Sequence, residues 1–280
     1  MNARLKIASL YLLLAAVVLF SVAGCGLNGK YEEEAYLSVS ADGAQSINVE
    51  TVNGKIDVRA VEGDEVKVFA VKTIRATSDA AAEKFASSVE LIAELVDDEV
   101  RIYSKHPKIT FGKSVSILLE VECPPHLAAK FRSVNGQVKA AGMTNGVDAS
   151  TTNGRIDLQD ISGRVVANTT NGRIEARLST METAGEFLTV NGAVEVMVAN
   201  CLADINADTV NGSVKIKLPA NFSGRVEGST VNGRASCDLE LQADVNKKKH
   251  FKGTVGDGQG PNIHLSAVNG SVDIEELLPG

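Results

Sequence analysis

Five carboxylates share one position of a repeated sequence frame, four residues after the Asn of an Asn-Gly dipeptide: Asp57, Asp157, Glu175, Glu195 and Asp273. If the repeats stack, these side chains form an acidic column, and clustered carboxylates are what polysaccharide hydrolases use for acid–base chemistry. Other copies of the frame carry Lys139, Lys215 and Ser236 at the same position. Interspersed charges on a solvated sheet face are the interpretation we favour. The sequence therefore predicts no catalytic residue.

Two further patterns that could hold a ligand are incomplete. The segment from Gly256 to Gly260 is glycine-rich, but it lacks the third glycine at dinucleotide spacing and leads into a predicted strand. We interpret it as a turn. No two cysteines are separated by two residues, and the histidines lack the close spacing of a zinc site; they are His106, His126, His250 and His264. We expect neither a metal nor a cofactor.

The elements that position these side chains are set by the Asn-Gly dipeptide, which returns eight times in one frame. From Asn135 to Asn232 the steps are 18, 18, 20, 20 and 21 residues, which indicates one short unit stacked on itself. A tight bend demands positive φ, which Gly adopts freely and Asn more readily than most residues. The predicted bend residues are Asn53, Gly54, Asn135, Gly136, Asn153, Gly154, Asn171, Gly172, Asn191, Gly192, Asn211, Gly212, Asn232, Gly233, Asn269 and Gly270.

Apolar or small residues flank each bend at fixed offsets, with mostly polar residues between them. Ala149 and Thr151 precede Asn153, and Ile156 and Leu158 follow it. This alternation predicts a strand with one buried face on each side of the bend. We predict an all-β fold, a β-solenoid resembling a β-helix, built from repeats of roughly 18–21 residues with stacked asparagines. The alternative is a hairpin-meander β-sandwich in which Asn-Gly forms type I′ turns.

Three stretches carry a resemblance to a known family. They are the Thr-Val-Asn-Gly-x-Val-x-Val units, the strand from Val115 to Pro124, and the closing stretch from Gly253 to Gly260 that leads into Ile263 to Gly270. Together they resemble the bacterial putative-adhesin domain family over residues 45 to 275. The resemblance implies a β-helical extracytoplasmic domain, and it transfers no site residue to this chain.

The amino terminus has the pattern of an export signal. Arg4 and Lys6 precede an apolar run from Ile7 to Phe20, which is followed by Val-Ala-Gly and Cys25. The last four residues resemble the bacterial lipobox, which implies that Cys25 is acylated and becomes the first mature residue. More than one acyl chain would hold the protein stably on a membrane. The alternative is an uncleaved transmembrane anchor, since the run is long enough to span.

The net charge and the amino-acid composition restrict the classes of partner that we expect the protein to bind. The net charge is −7, and removal of Arg4 and Lys6 with the signal gives −7 − 2 = −9 for the mature chain. An acidic chain is not expected to bind nucleic acid. The chain contains no Trp, which weakens the case for sugar binding because aromatic rings supply the stacking surface. The expected partners are the membrane, through the lipid, and an unknown protein or envelope polymer. We expect location in the cell envelope, on the outer membrane if the cell has one.

The predicted domain organisation is a signal peptide at 1–24, the lipidated Cys and a tether at 25–45, and the repeat domain at 46–280. Within it, 65–124 is an inserted or capping region with a short helix from Asp79 to Ala86, capped by Ser78. The step from Asn232 to Asn269 is 37 residues, so either one unit has lost its Asn-Gly or a loop intervenes.

The remaining cysteines indicate packing rather than chemistry. Cys123 and Cys237 fall at positions predicted to be buried, where cysteine acts as a small hydrophobe. The sequence does not decide whether Cys201 forms a disulfide with either of them.

Three functional hypotheses follow. The first is a membrane-anchored, non-catalytic scaffold or adhesin-like module that presents a β-face to a partner. An apolar column one position before the Asn motivates it, and its valines are either an exposed interface or tucked into the bend: Val52, Val134, Val190, Val210, Val231 and Val268. The second is an envelope-sensing or regulatory accessory protein that recognises a partner through Val66 to Pro124. The third, and least favoured, is a carbohydrate-active β-helix enzyme.

Overall fold

Alternating apolar residues give the chain a fold made almost wholly of strands. The computed structural model describes residues 29–108 and 112–278, so the predicted signal peptide and Cys25 lie outside the described residues. Helix α1 spans Asp79–Ala86. The strands are β1 (Gly29–Ser40), β2 (Ser46–Asn53), β3 (Ile56–Ala60), β4 (Glu65–Ala76), β5 (Glu90–Val96), β6 (Glu99–Lys105), β7 (Ser114–Cys123), β8 (Ala128–Asn135), β9 (Val138–Ala141), β10 (Val147–Asn153), β11 (Ile156–Ser162), β12 (Val165–Asn171), β13 (Ile174–Met181), β14 (Gly185–Asn191), β15 (Val194–Cys201), β16 (Ile205–Asn211), β17 (Val214–Pro219), β18 (Gly224–Asn232), β19 (Ala235–Cys237), β20 (Leu241–Lys247), β21 (His250–Val255), β22 (Asn262–Asn269) and β23 (Val272–Leu277).

The strands form two large sheets. Sheet A has the order β1-β4-β7-β3-β9-β11-β13-β15-β17-β23-β19, and sheet B has the order β20-β21-β18-β22-β16-β14-β12-β10-β8-β2-β6-β5. The two strands that flank a bend lie in different sheets, for example β10 in sheet B and β11 in sheet A. Each Asn-Gly bend therefore carries the chain from one sheet to the other.

Successive units pair in parallel and in register. β10 pairs with β8 and β12, which places Asn153 level with Asn135 and Asn171. β11 pairs with β9 and β13 in the same way. The inward residues of both sheets, such as Ala149 and Ile156, join one hydrophobic cluster. Over the described residues the fold is all-β, with two large sheets and one short helix, which confirms the predicted fold class.

The last unit departs from chain order. β22 lies between β16 and β18, and β23 lies between β17 and β19, so the unit around Asn269 sits between those around Asn211 and Asn232. The 37-residue step contains the antiparallel pair of β20 and β21, and β21 also pairs with β18. The step therefore holds a strand pair of one sheet, which is neither the loop nor the unit without Asn-Gly that the sequence left open.

Residues 65–124 extend both sheets beyond the unit around Asn53. β4 and β7 join β1 in antiparallel pairs at one edge of sheet A, and β5 and β6 form the matching edge of sheet B. Helix α1 has the predicted bounds, and Ser78 Oγ accepts a hydrogen bond from the Ala81 amide at 3.2 Å. Its buried Ala82 and Phe85 point inward. Within residues 29–108 and 112–278, no helix combines the length and apolar character needed to cross a bilayer.

Candidate functional site

The bend asparagines form a continuous hydrogen-bonded ladder. Asn153 Nδ2 donates to Asn135 Oδ1, and Asn171 Nδ2 donates to Asn153 Oδ1, both at 2.8 Å. At one end, Asn53 Nδ2 donates to the Val115 carbonyl at 3.1 Å. The spatial order is Asn53, Asn135, Asn153, Asn171, Asn191, Asn211, Asn269 and Asn232. Because these amides bond one another along the stack, the ladder holds the bends in register.

The bend glycines are required by close approach of stacked backbones. A Cβ on Gly172 would lie 1.8 Å from the carbonyl oxygen of Gly154, and at all eight bends the nearest backbone oxygen is between 1.7 and 2.0 Å away. Among the bend residues, positive φ occurs only at Gly54, Gly212 and Gly270. The predicted reason for the dipeptide, positive φ, is therefore wrong for most bends. The reason is that no side chain fits between adjacent units.

The hydroxyl two positions before the Asn supports the same stack. Thr169 Oγ1 donates to the Gly154 carbonyl at 3.1 Å, and Thr151 Oγ1 donates to the Gly136 carbonyl at 3.0 Å. Both threonines are buried, so these bonds satisfy hydroxyls that water does not reach.

The residues one position before the Asn are exposed. The six valines of this column have exposed fractions from 39% to 58%, so the interpretation in which they tuck into the bend is wrong. Thr152 and Thr170 take the same position in two units and are also exposed. Four of the valines follow one another in space and are here called the valine strip: Val190, Val210, Val268 and Val231. Neighbouring strands lie about 4.8 Å apart, so the strip is a continuous apolar row.

The predicted acidic column forms a row across the outer face of sheet A, and bases neutralise it. Glu175 is 8% exposed, and its carboxylate contacts Arg155 Nη2 at 2.5 Å and Arg177 Nη2 at 2.6 Å. Arg173 contacts both Glu175 and Glu195. The bases between the acids agree with the interspersed charges expected from the sequence, whereas the burial of Glu175 and Asp157 differs from the solvated face expected there.

The described cysteines are free thiols. Burial raises the pKa of Cys123 to about 12 and that of Cys201 to about 11, so both stay protonated at neutral pH. Cys237 is half-buried rather than fully buried, and no disulfide joins Cys201 to another described cysteine. Among the described residues, no group of three or more His, Cys, Asp or Glu side chains is placed to hold a metal ion. The segment from Gly256 to Gly260 forms a turn after β21.

A cavity of about 600 Å³ lies on the outer face of sheet A, where β1, β4, β7 and β3 are neighbours. The rings of Tyr36 and Phe69 form part of its wall, with centroids 4.9 Å apart. Its charged side chains are Asp57, Arg59, Glu65, Lys67, Glu120 and Glu122. Sequence reasoning missed this cavity because its residues come from separate segments, which the antiparallel pairing of β4 with β1 and β7 and the parallel pairing of β7 with β3 bring together. No local spacing signals that pairing.

Comparison with known proteins found adhesin-type structures. No family model matches the chain, and no curated protein matches it. A solved putative cell adhesion protein from Clostridium sporogenes is 11% identical, covering 88% of this chain and 100% of its own, with a TM-score of 0.33. A putative adhesin from Bacteroides fragilis is 12% identical, covering 86% and 96%, with a TM-score of 0.31. A putative lipid binding protein from Parabacteroides distasonis is 13% identical, covering 88% and 97%, with a TM-score of 0.23. The first two descriptions agree with the family that the sequence resembles.

Proposed function

We propose that the protein is an extracytoplasmic lipoprotein, anchored through Cys25, that presents a β-solenoid as a non-catalytic binding scaffold. The observation that carries this proposal is the valine strip, which places four exposed aliphatic side chains in a row on consecutive units. The asparagine ladder beside it fixes their spacing. A rigid apolar row of this kind suits binding, because the side chains need no ordering on contact.

The register of the units supports the solenoid part of the proposal. Parallel pairing of each unit with its neighbours, such as Asn153 with Asn135 and Asn171, is the arrangement expected when one coil lies on the next. In such a stack the same side-chain position recurs every turn on one edge. Val190 therefore lies beside Val210 because both occupy the same position of the repeat.

A protein surface is the occupant that we assign to the valine strip. Valine offers an aliphatic surface without the flat ring on which a sugar stacks. The strip also ends at Thr170, where the same position becomes polar. An apolar patch bordered by polar residues is typical of a protein contact.

The natural threonines provide a matched test of the valine strip. A triple variant with Val190→Thr, Val210→Thr and Val268→Thr keeps side-chain shape and introduces the residue that Thr152 already places at this position. The test uses a chain that begins at Gly26, without the signal and the lipid, so that sedimentation reports the strip and not the anchor. We expect unchanged thermal unfolding and loss of co-sedimentation of this purified chain with envelopes from cells that lack the protein. The control is Val194→Thr, which puts a hydroxyl at an inward position that is 1% exposed and should destabilise the fold. Equal sedimentation of the triple variant and the same unlipidated chain without these substitutions would rule out the strip as the binding surface.

The anchor is tested separately with Cys25→Ala. Cells fed a labelled fatty acid should incorporate the label into the unchanged protein and not into the variant. The unchanged protein should remain with membranes and be shaved from intact cells by added protease, whereas the variant should keep its uncleaved signal and run as a larger protein on a gel. Absence of label from the unchanged protein would contradict a lipid anchor.

A second function, as an envelope-sensing accessory protein, is favoured by the cavity on sheet A. Two of its four strands, β4 and β7, belong to the region 65–124 that interrupts the repeat. A protein that is acylated but protected from external protease would face an internal compartment of the envelope. That result would favour the accessory function over the binding scaffold.

A further inference from the structure

The cavity on sheet A is built as two parallel rows of outward-facing side chains. In one row, Tyr36 lies opposite Phe69, Phe69 opposite Glu120, and Glu120 opposite Asp57. Four strands spaced about 4.8 Å apart make this row about 14 Å long. The parallel row lies two residues further along the strands, roughly 7 Å away. It consists of Ser38, Lys67, Glu122 and Arg59.

The charges around the cavity differ from those on the rest of this face. Along the repeats the bases and acids pair directly, as Arg155 does with Glu175. Asp57 pairs with Lys55 at 2.5 Å at the rim of the cavity. Within the described part of the chain, the other five charged side chains of the cavity have no ion pair within 4.0 Å: Arg59, Glu65, Lys67, Glu120 and Glu122. Their donors and acceptors are therefore free to meet a ligand.

We propose that this cavity binds a saccharide chain of the cell envelope. The apolar face of a sugar ring would stack on Tyr36 and Phe69, which provide the aromatic surface that the absence of Trp had put in doubt. Sugar hydroxyls both donate and accept hydrogen bonds, so they match a wall that offers Lys67 as a donor and Glu122 as an acceptor side by side.

The carboxylates of the cavity outnumber its bases, which disfavours an anionic saccharide and leaves a neutral one. Aromatic rings beside carboxylates also bind alkylammonium groups, so such a cation is the competing ligand that the titration must include. An anion is repelled in turn by Glu120 and Glu122. This assignment rests on the proposed function of non-catalytic binding, and it concerns a face different from the valine strip.

The test is calorimetric titration of the full-length chain, purified in detergent, with oligosaccharides prepared from the polysaccharide of its own cell envelope. Tyr36→Ala and Phe69→Ala should each weaken binding about tenfold or more, because each removes one stacking ring. Tyr36→Phe keeps the ring and should bind within about threefold of the unchanged chain. Thermal unfolding of each variant separates loss of the ligand from loss of the fold.

The outcomes separate this proposal from the function on which it rests. Saccharide binding that falls in both alanine variants and survives Tyr36→Phe supports the site. Absence of binding to every oligosaccharide, binding that neither alanine variant alters, or binding of choline in place of saccharides overturns it. Release of new reducing ends during the titration would keep the saccharide site and overturn non-catalytic function. Loss of envelope binding in the valine-strip variant tests the scaffold without involving the cavity.

Discussion

At the scale of single residues, the bends show how one dipeptide serves the stack twice. Asn supplies the ladder, and Gly allows the backbones of neighbouring units to approach. The importance of the dipeptide was predictable from its eightfold recurrence. Its physical reason was not, because the sequence carries no measure of how closely one unit lies on the next. Likewise, the sequence did not decide whether Val190 is exposed or tucked into the bend, because an apolar residue at this position fits both arrangements.

Substitution of a bend glycine tests whether the glycine is required by positive φ or by the close approach of the neighbouring unit. Gly172→Ala should destabilise the protein by about 4 kcal/mol or more, because the new Cβ meets the Gly154 carbonyl, which belongs to a packed neighbouring unit. Gly63→Ala is the control, since Gly63 has φ +151° and open space around its Cβ position, and should cost about 1–3 kcal/mol. Both values come from urea unfolding. Equal effects of the two substitutions would contradict the close-approach explanation.

Thiol reactivity reports burial at the same scale. Because burial raises the pKa of Cys123 to about 12, the native protein should present almost no thiolate there at pH 8. Iodoacetamide followed by mass spectrometry should leave Cys123 unmodified in the native protein and modify it fully in urea. The half-buried Cys237 should react earlier than Cys123 during gradual unfolding. Rapid modification of Cys123 in the native protein would contradict the burial of its thiol.

At the scale of elements, helix α1 depends on one lysine as well as on its cap. Lys72 Nζ donates to the carbonyls of Ala86 and Val89 at 3.2 and 3.0 Å and pairs with Glu33 at 2.7 Å. Ser78 marks the start of the helix and was recognisable from the sequence. The contact with Lys72 could not be recognised from the sequence, because it joins the end of the helix to a strand that only the folded chain brings near.

Removal of that lysine should loosen the helix locally. Lys72→Met takes away two charge-assisted hydrogen bonds and leaves the carboxylate of Glu33 without this partner, so we expect a loss of about 2–3 kcal/mol. Hydrogen exchange should speed up in residues 79–89 and stay unchanged in β10 to β15. Arg75→Met, an exposed position on the same strand, should change stability by less than about 0.5 kcal/mol. Uniform loss of protection across all strands would contradict a local role.

At the scale of the whole molecule, the repeat predicted the units but not their order. Steps of 18 to 21 residues indicated strands on both sides of each bend. The insertion of the Asn269 unit between those of Asn211 and Asn232 has no local signal, because all three units share one frame and pair equally well by pattern. The cavity at Tyr36 was hidden for the same reason, since it depends on which strands become neighbours.

A domain built as a stack of interchangeable units, whose repeated positions present a binding surface, should tolerate the removal of one whole unit. Deletion of residues 154–171 removes one 18-residue unit and joins Asn153 to Gly172, so every later side chain keeps its face. Deletion of residues 154–172 removes one residue more, together with the bend glycine, and reverses the facing of the next strand.

The decisive measurement is equilibrium urea unfolding of the two deletion variants, with envelope sedimentation of each in a chain that begins at Gly26 and carries no lipid. We expect the 154–171 deletion to fold cooperatively with reduced stability and still bind envelopes, because each unit contacts only its neighbours and the valine strip is intact. The 154–172 deletion should not fold cooperatively. Collapse of both variants, or equal stability of both, would contradict a stack of interchangeable units.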